Sequence, residues 1–179
     1  MAVWFTSDTH FSHANIIRHC NRPFVDVDTM DAAMVERWNA RVKYDDTVWH
    51  LGDFCLRSSE ITNRFLNRLM GRIHLIWGNH DSNQVRNLPR WVSSQPYAEI
   101  SVDGTNLVLF HYAMRVWNRS HHGALHLYGH SHNTLPGDSG SCDVGVDAWD
   151  FRPVSLIEIK EKLARSVPRQ PVDHHGVTQ

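Results

Sequence analysis

Val3-Trp4-Phe5-Thr6-Ser7-Asp8-Thr9-His10 begins as an apolar, aromatic and β-branched run and ends in an aspartate and a histidine. Such a run reads as a buried strand. The same construction recurs down the chain. Thr47-Val48-Trp49-His50-Leu51 leads into Gly52-Asp53, and Arg72 to Trp77 into Gly78-Asn79-His80-Asp81. Leu107-Val108-Leu109-Phe110 leads into His111, and Leu125 to Tyr128 into Gly129-His130-Ser131-His132. In open α/β sheets, ligands bind in the crevice outside the carboxyl ends of the strands. Carboxylates, imidazoles and an amide at these strand ends are therefore expected to converge. Oxygen and nitrogen donors without thiolate suit Mn, Fe, Co, Ni or Zn. Two such ions about 3.5–4 Å apart clamp both the attacking and the leaving oxygen of a phosphoryl hydrolysis.

In order and spacing these segments resemble the calcineurin-like metallophosphoesterase superfamily, whose pattern is D-x-H, G-D, G-N-H-D/E, H and G-H-x-H. Every element is present, from Val3 to about Ile159. The wording of Phe5 to His13 and of Asp46 to Phe54 is similar to the small, single-domain bacterial and phage members. The resemblance implies an α/β fold of two packed mixed β-sheets flanked by helices, an α/β/β/α sandwich. It also implies a ligand set: Asp8, His10 and His132 for one ion, Asn79, His111 and His130 for the other, and Asp53 bridging them. A shared carboxylate lowers the repulsion between adjacent dications. Neutral imidazoles and an amide keep the site electrophilic enough to bring a bound water to a pKa of about 7, so that hydroxide is the nucleophile. The expected cofactor is two divalent transition-metal ions, manganese first, with Fe, Ni, Co or Zn open. His80 is expected to donate a proton to the leaving oxygen or stabilise phosphoryl charge. Asp81 beside it would orient that imidazole or cap the following helix.

Substrate contacts are sought around this set. His13 and Asn15 lie just beyond the first motif and are expected at the metal mouth. Arg57 sits at the offset where G-D-x-V-D-R-G relatives carry a phosphate-gripping arginine. Here the inner Asp and the last Gly are missing, so a solvated arginine at a helix start is the alternative. The loop from Tyr112 to Gly123 leaves directly from His111, and its Trp117 and Arg115 are candidates to stack on a base and grip a phosphate. The alternative is a loop packed by its own indole. His50 and His126 alternate with apolar neighbours and read as interior histidines.

The chain has 179 residues, enough for one domain with a substantial core. Its 18 basic and 19 acidic residues give a net charge of −1 and no basic stripe for duplex nucleic acid. The 14 histidines are the compositional outlier. Cys20, Cys55 and Cys142 are expected to be free thiols of a reducing cytosol, with Cys55 close enough to Asp53 for its oxidation to disturb the site. No signal peptide is visible, and no apolar run approaches the roughly 20 residues of a membrane span. A cytoplasmic location is expected.

Periodicity predicts helices over Ser12–Cys20 with Ser12 as N-cap, over Asp28–Val42 through Met30, Met34, Trp38 and Val42, and over Ser59–Met70 with Gly71 as C-cap. Ala98–Val102 and Asn106–Phe110 form a hairpin about Asp103-Gly104-Thr105. Ser141–Val146 and Val154–Ile159 read as further strands. Residues 1–164 form the domain and 165–179 a tail, whose His174-His175 pair reads as a solvated surface feature. The expected activity is hydrolysis of a small phosphoester, a cyclic nucleotide or other nucleotide diester first. A metal-dependent nuclease, a phosphomonoesterase and a non-catalytic scaffold are the alternatives.

Overall fold

A computed structural model describes residues 1–170. The described residues form two sheets, one of five strands and one of four. The first is built from β1 (Val3–Thr6), β2 (Thr47–His50), β3 (Arg72–Ile76), β4 (Ser93–Gln95) and β9 (Val154–Ser155). Its order is β4-β3-β2-β1-β9. β1 to β4 are parallel, and β9 closes the edge antiparallel to β1. The second sheet contains β5 (Tyr97–Val102), β6 (Thr105–Phe110), β7 (Leu125–Tyr128) and β8 (Ser141–Asp143). Its order is β5-β6-β7-β8. β6, β7 and β8 are parallel, with β5 antiparallel at the edge. Both sheets are thus mixed, as expected.

Alternation along the strands divides the core. Phe5, Trp49, Leu51 and Ile76 of the first sheet meet Leu107, Leu109, Leu127 and Cys142 of the second in one cluster. The opposite face of the first sheet, with Val48, Ile73 and Leu75, packs on helices α1 (Ala14–His19), α2 (Val27–Arg41), α3 (Ser59–Arg68) and α4 (Asn83–Arg86). Met30, Met34, Trp38 and Val42, one helical turn apart, are all buried there. A fully buried side chain of this size contributes about 1.5–3 kcal/mol. The outer face of β6 and β7 carries Val108 and His126. It is covered by the 112–124 loop through Met114, Trp117 and Ala124.

The hairpin turns on Asp103 (φ 47°) and Gly104 (φ 74°), with Val102 opposite Thr105. Two left-handed residues in a two-residue loop are what a type I′ turn requires. α2 starts one residue earlier than the periodicity predicts, because Asp26 caps it by accepting the Thr29 N–H at 2.7 Å. Ser12 is not the cap of α1. It is left-handed (φ 62°), its N–H goes to the Asp31 carboxylate, and His13 occupies the cap position.

Two expected strands are cut short. Ser141–Val146 ends at Asp143, whose Oδ1 accepts the Gly145 N–H and turns the chain into a 3-10 helix over Val146–Ala148. Val154–Ile159 pairs for only two residues and then becomes α5 (Leu156–Leu163). Ser155 and Glu158 form a capping box, each side chain bonding the other's backbone N–H. Beyond residue 164 the chain continues to pack: the Ser139 N–H donates to Val167 O, and the Arg169 guanidinium lies 3.7 Å from the Trp117 ring centroid. His174 and His175 lie outside the described residues. No helix among the described residues is long and apolar enough to cross a membrane.

Candidate functional site

Because β1, β2 and β3 run parallel and β6 and β7 run parallel, five strands deliver their exits to one region. The exits continue the pairing of the sheet. Asp8 N–H bonds Gly52 O at 2.9 Å, His10 N–H bonds Asp53 O at 3.0 Å, and Phe11 N–H bonds Phe54 O at 2.9 Å. The two sheets are tied together at this level. His111 Nδ1 contacts Leu51 O at 2.7 Å, and the His130 N–H donates to Asp8 Oδ2 at 2.9 Å.

Five of the seven candidate ligands hold a left-handed backbone: Asp8, His10, Asp53, His130 and His132, with φ between 46° and 65°. Asp and His tolerate this region better than most residues, but such conformations cost about 1–3 kcal/mol each and concentrate at functional sites. Glycines, Gly52 and Gly129 among them, make the crowding possible. Gly52 has φ 97°, and a Cβ there would lie 2.7 Å from His111 Nδ1. A Cβ on Gly129 would collide with Ser7 Oγ and the Asp8 carboxylate.

The side chains gather in two groups of donors. Asp8, His10 and His132 bring ligand atoms within 4.8 Å of one another, and so do Asp53, His111 and His130. Asp53 Oδ2 lies between the groups, 3.6 Å from His10 Nε2 and 3.5 Å from His111 Nε2. Asn79 Oδ1 is 3.1 Å from His111 Nε2. The donor set is all oxygen and nitrogen, and its electrostatics are those of a cation site. Asp8 Oδ1 and both His10 ring nitrogens are buried without a hydrogen-bond partner, an arrangement that folded proteins otherwise avoid. Burial drives the Asp8 carboxyl up to about 7, opposed by His111 and His132. Burial also drives the His10 imidazolium down to about 2, so the ring is neutral and one of its nitrogens keeps a free lone pair. Asp53 is raised by burial, but the bond and charge of His111, the His80 N–H and His10 outweigh this and bring it to about 2. The residues fit divalent ions.

His80 stands at the rim, its side chain 45% exposed and its Nε2 4.0 Å from Asp53 Oδ2. Its own N–H bonds Asp53 Oδ1 at 2.9 Å. Asp81 is a correction. Its buried carboxylate touches neither the His80 imidazole nor the start of α4, which Ser82 caps. Instead it accepts the N–H groups of Gly78 (2.8 Å), Asp53 (2.9 Å) and Phe54 (3.0 Å), fastening the Gly52-Asp53 turn to the Gly78-Asn79-His80 turn.

Trp117 is a second correction. Only 6% exposed, it packs with Val108 and Ala124, and its indole N–H donates to Ala124 O at 2.8 Å. It cannot stack on a substrate. Arg115 is exposed, and its carbonyl accepts from Arg169. The aromatic residue at the site is Tyr112, 40% exposed, its ring 5.0 Å from His111 and 4.7 Å from His130. His13 lies 5.5 Å ring to ring from His10. Its imidazolium is disfavoured first by burial and then by His80. Arg57 is exposed and spends its Nε–H on Ser12 O at 3.0 Å. Asn15 is exposed and lines a surface depression with Arg18 and His19. His50 and His126 are fully buried. The first contacts Thr9 Oγ1, and the second contacts Val108 O and the Met114 N–H. All three cysteines are free thiols. Cys55 is buried, and burial raises its thiol pKa, which makes it a poor target for oxidation.

Sequence reasoning passed over Arg22 and Asp147. Asp147 Oδ2 accepts from His132 Nδ1 at 2.7 Å, and Arg22 holds Asp147 through both oxygens. A buried arginine between two distant segments leaves no local sequence signal.

Comparison with known proteins agrees with this geometry. Residues 1–144 match the profile of the calcineurin-like phosphoesterase superfamily domain. An uncharacterised protein of Methanocaldococcus jannaschii is 31% identical over 179 residues, covering 92% of this chain and 96% of its own. The gene 66 protein of Mycobacterium phage D29 is 29% identical over 194 residues, covering 90% of this chain and 95% of its own. Among solved structures, a protein of unknown function from Aquifex aeolicus superposes with a TM-score of 0.73. It is 24% identical and covers 90% of this chain and 98% of its own.

Proposed function

The chain belongs to the calcineurin-like phosphoesterase superfamily, and on that footing we propose that it is a binuclear metal-dependent phosphodiesterase acting on small diesters. Membership of the family supports metal-dependent hydrolysis of a phosphoester. The binuclear reading is supported above all by Asp53, whose Oδ2 lies within 3.6 Å of an imidazole from each donor group. Asp8, His10 and His132 would hold one ion, Asn79, His111 and His130 the other, and Asp53 would touch both. Mn²⁺ is the first choice for this O/N set, with Fe, Co, Ni and Zn as competitors. Two ions there supply Lewis acidity to the phosphoryl oxygens and a lowered pKa for water.

The protein's own groups do the rest. His111, anchored through Nδ1 on Leu51 O, turns Nε2 toward Asp53. His80 is solvated enough to exchange protons and close enough to Asp53 to sit beside the reacting ester, where it protonates the leaving oxygen. Diesters are put ahead of monoesters because the one guanidinium buried against the donors among the described residues, that of Arg22, is saturated by Asp147, Asp8 O and Thr9 O. It therefore cannot grip a dianionic phosphoryl group through the bidentate fork that binds it strongly. Arg57 lies at the surface with its Nε–H given to Ser12 O. Tyr112 offers an aromatic wall for a base or aryl substituent, which keeps nucleotide diesters, cyclic ones included, as the leading substrates.

The test is turnover of bis-p-nitrophenyl phosphate against p-nitrophenyl phosphate, before and after chelation. Diester hydrolysis that vanishes in EDTA and returns with Mn²⁺ is expected. Full activity in metal-free protein, or a monoester preference, would contradict the proposal.

A further inference from the structure

We propose that Arg22 and Asp147 are positioning residues that set one of the two metal subsites, acting through His132 and through the turn bearing Asp8 and His10. This rests on the binuclear reading above. Arg22 is only 4% exposed, and every branch of its guanidinium is used. Nε and Nη2 donate to the two Asp147 oxygens at 2.8 and 2.9 Å. Nη2 also reaches Asp8 O at 2.7 Å, and Nη1 reaches Thr9 O at 3.0 Å. Asp147 Oδ2 in turn accepts from His132 Nδ1 at 2.7 Å. A single side chain therefore fixes the carbonyls of the left-handed turn that carries Asp8 and His10, and through Asp147 it fixes the third donor of the same group.

The chemistry follows from the acceptor. A carboxylate on Nδ1 demands the proton there, so the neutral, ion-holding ring has its lone pair on Nε2. It also makes the imidazole a stronger donor. Asp147 and Cys20 come within ligand distance of His132 and would pass for a separate metal group. With both its oxygens bound by Arg22, however, Asp147 is an orienting group rather than a ligand. The Arg22–Asp147 pair is neutral overall, so it orients the ring without changing the charge that the donors present. The other group is held differently: its His111 is oriented by a backbone carbonyl, Leu51 O. Loss of Asp147 should therefore be felt at one subsite and not at the other.

The experiment is calorimetric titration of the chelated full-length chain with Mn²⁺, for the natural sequence, Asp147→Asn and Arg22→Lys, with melting curves of each metal-free protein. The natural chain should take up two ions. Asp147→Asn should keep one at natural affinity and weaken the other about 10–100-fold, the usual cost of losing a ligand's orienting partner. Arg22→Lys should weaken the same ion. Two ions at natural affinity in both variants would overturn the inference, as would a lowered melting temperature with both ions weakened alike. If the natural chain takes up one ion, the binuclear reading fails. The positioning role then stands if Asp147→Asn weakens that ion, and falls if it does not.

A measurement on the natural chain avoids any folding defect of the variants. In ¹⁵N-histidine-labelled protein loaded with diamagnetic Zn²⁺, His132 should show a slowly exchanging Nδ1–H. A His132 protonated on Nε2, or lacking a protected ring proton, would overturn the inference.

Discussion

Asp81→Asn separates a scaffold carboxylate from a catalytic one. In the structure Oδ2 serves the N–H groups of Asp53 and Gly78, and Oδ1 serves that of Phe54, with the residue 2% exposed. Asparagine keeps one oxygen for two of these donors and turns its NH₂ toward the third. One charge-assisted bond is lost, worth about 1.5–3 kcal/mol, and a buried N–H is left without an acceptor, at about 1–3 kcal/mol. Allowing for relaxation, the net loss is about 3 kcal/mol. For a domain of this size that lowers Tm by about 6–12 °C. The readouts are thermal melting of the metal-free protein and kcat across aryl diesters of graded leaving-group pKa. Because Asp81 makes no contact with the His80 imidazole, its loss should lower turnover equally for good and poor leaving groups. A normal Tm together with a defect confined to poor leaving groups would instead make Asp81 the partner of His80.

His80→Ala should keep its metals but lower kcat about 10²–10⁴-fold, with the defect shrinking for nitrophenyl leaving groups; an undiminished defect would assign His80 to phosphoryl-charge stabilisation. Trp117→Ala should cost about 3–5 kcal/mol of stability through the buried indole and lower all substrates in parallel, whereas Tyr112→Ala should raise KM for nucleotide diesters and spare a base-free diester. The buried histidines contribute to acid sensitivity. Burial lowers His50 to about 3 and also lowers His126, so the unfolded chain binds protons below about pH 6.5 that the native fold refuses. Their contribution to stability should be full above about pH 6.5 and fall as pH drops toward the folded pKa of His50, by up to about 1.4 kcal/mol per pH unit for each such histidine. Asp8, raised by burial to about 7, contributes in the opposite sense. A urea-stability difference between the natural chain and His50→Gln that does not shrink between pH 7 and 5 would contradict that assignment.

The candidate ligands were legible in the sequence because each follows an apolar strand within a few residues, so that local pattern and parallel topology suffice to bring Asp8, Asp53, Asn79, His111 and His130 together. Val154-Ser155-Leu156-Ile157-Glu158-Ile159 reads as a strand from its apolar, β-branched content, although Leu156 and Ile157 break strict alternation. The Ser155/Glu158 capping box, an S-x-x-E signal in the same residues, marks the helix α5. Trp117 reads as a substrate contact because its loop leaves directly from His111, yet Val108 and Ala124 give it an apolar seat that only the folded sheet creates. Arg22 and Asp147 are 125 positions apart, and no periodicity links them. Their meeting depends on the Gly145 turn that ends β8, where a longer strand was expected.

Two ions held on either side of Asp53 would be open to direct view by anomalous diffraction from crystals soaked in Mn²⁺. Two peaks about 3.5–4 Å apart are expected, one against Asp8, His10 and His132, the other against Asn79, His111 and His130, with an Asp53 oxygen between them. A single peak, or two peaks that Asp53 does not touch, would contradict the binuclear reading.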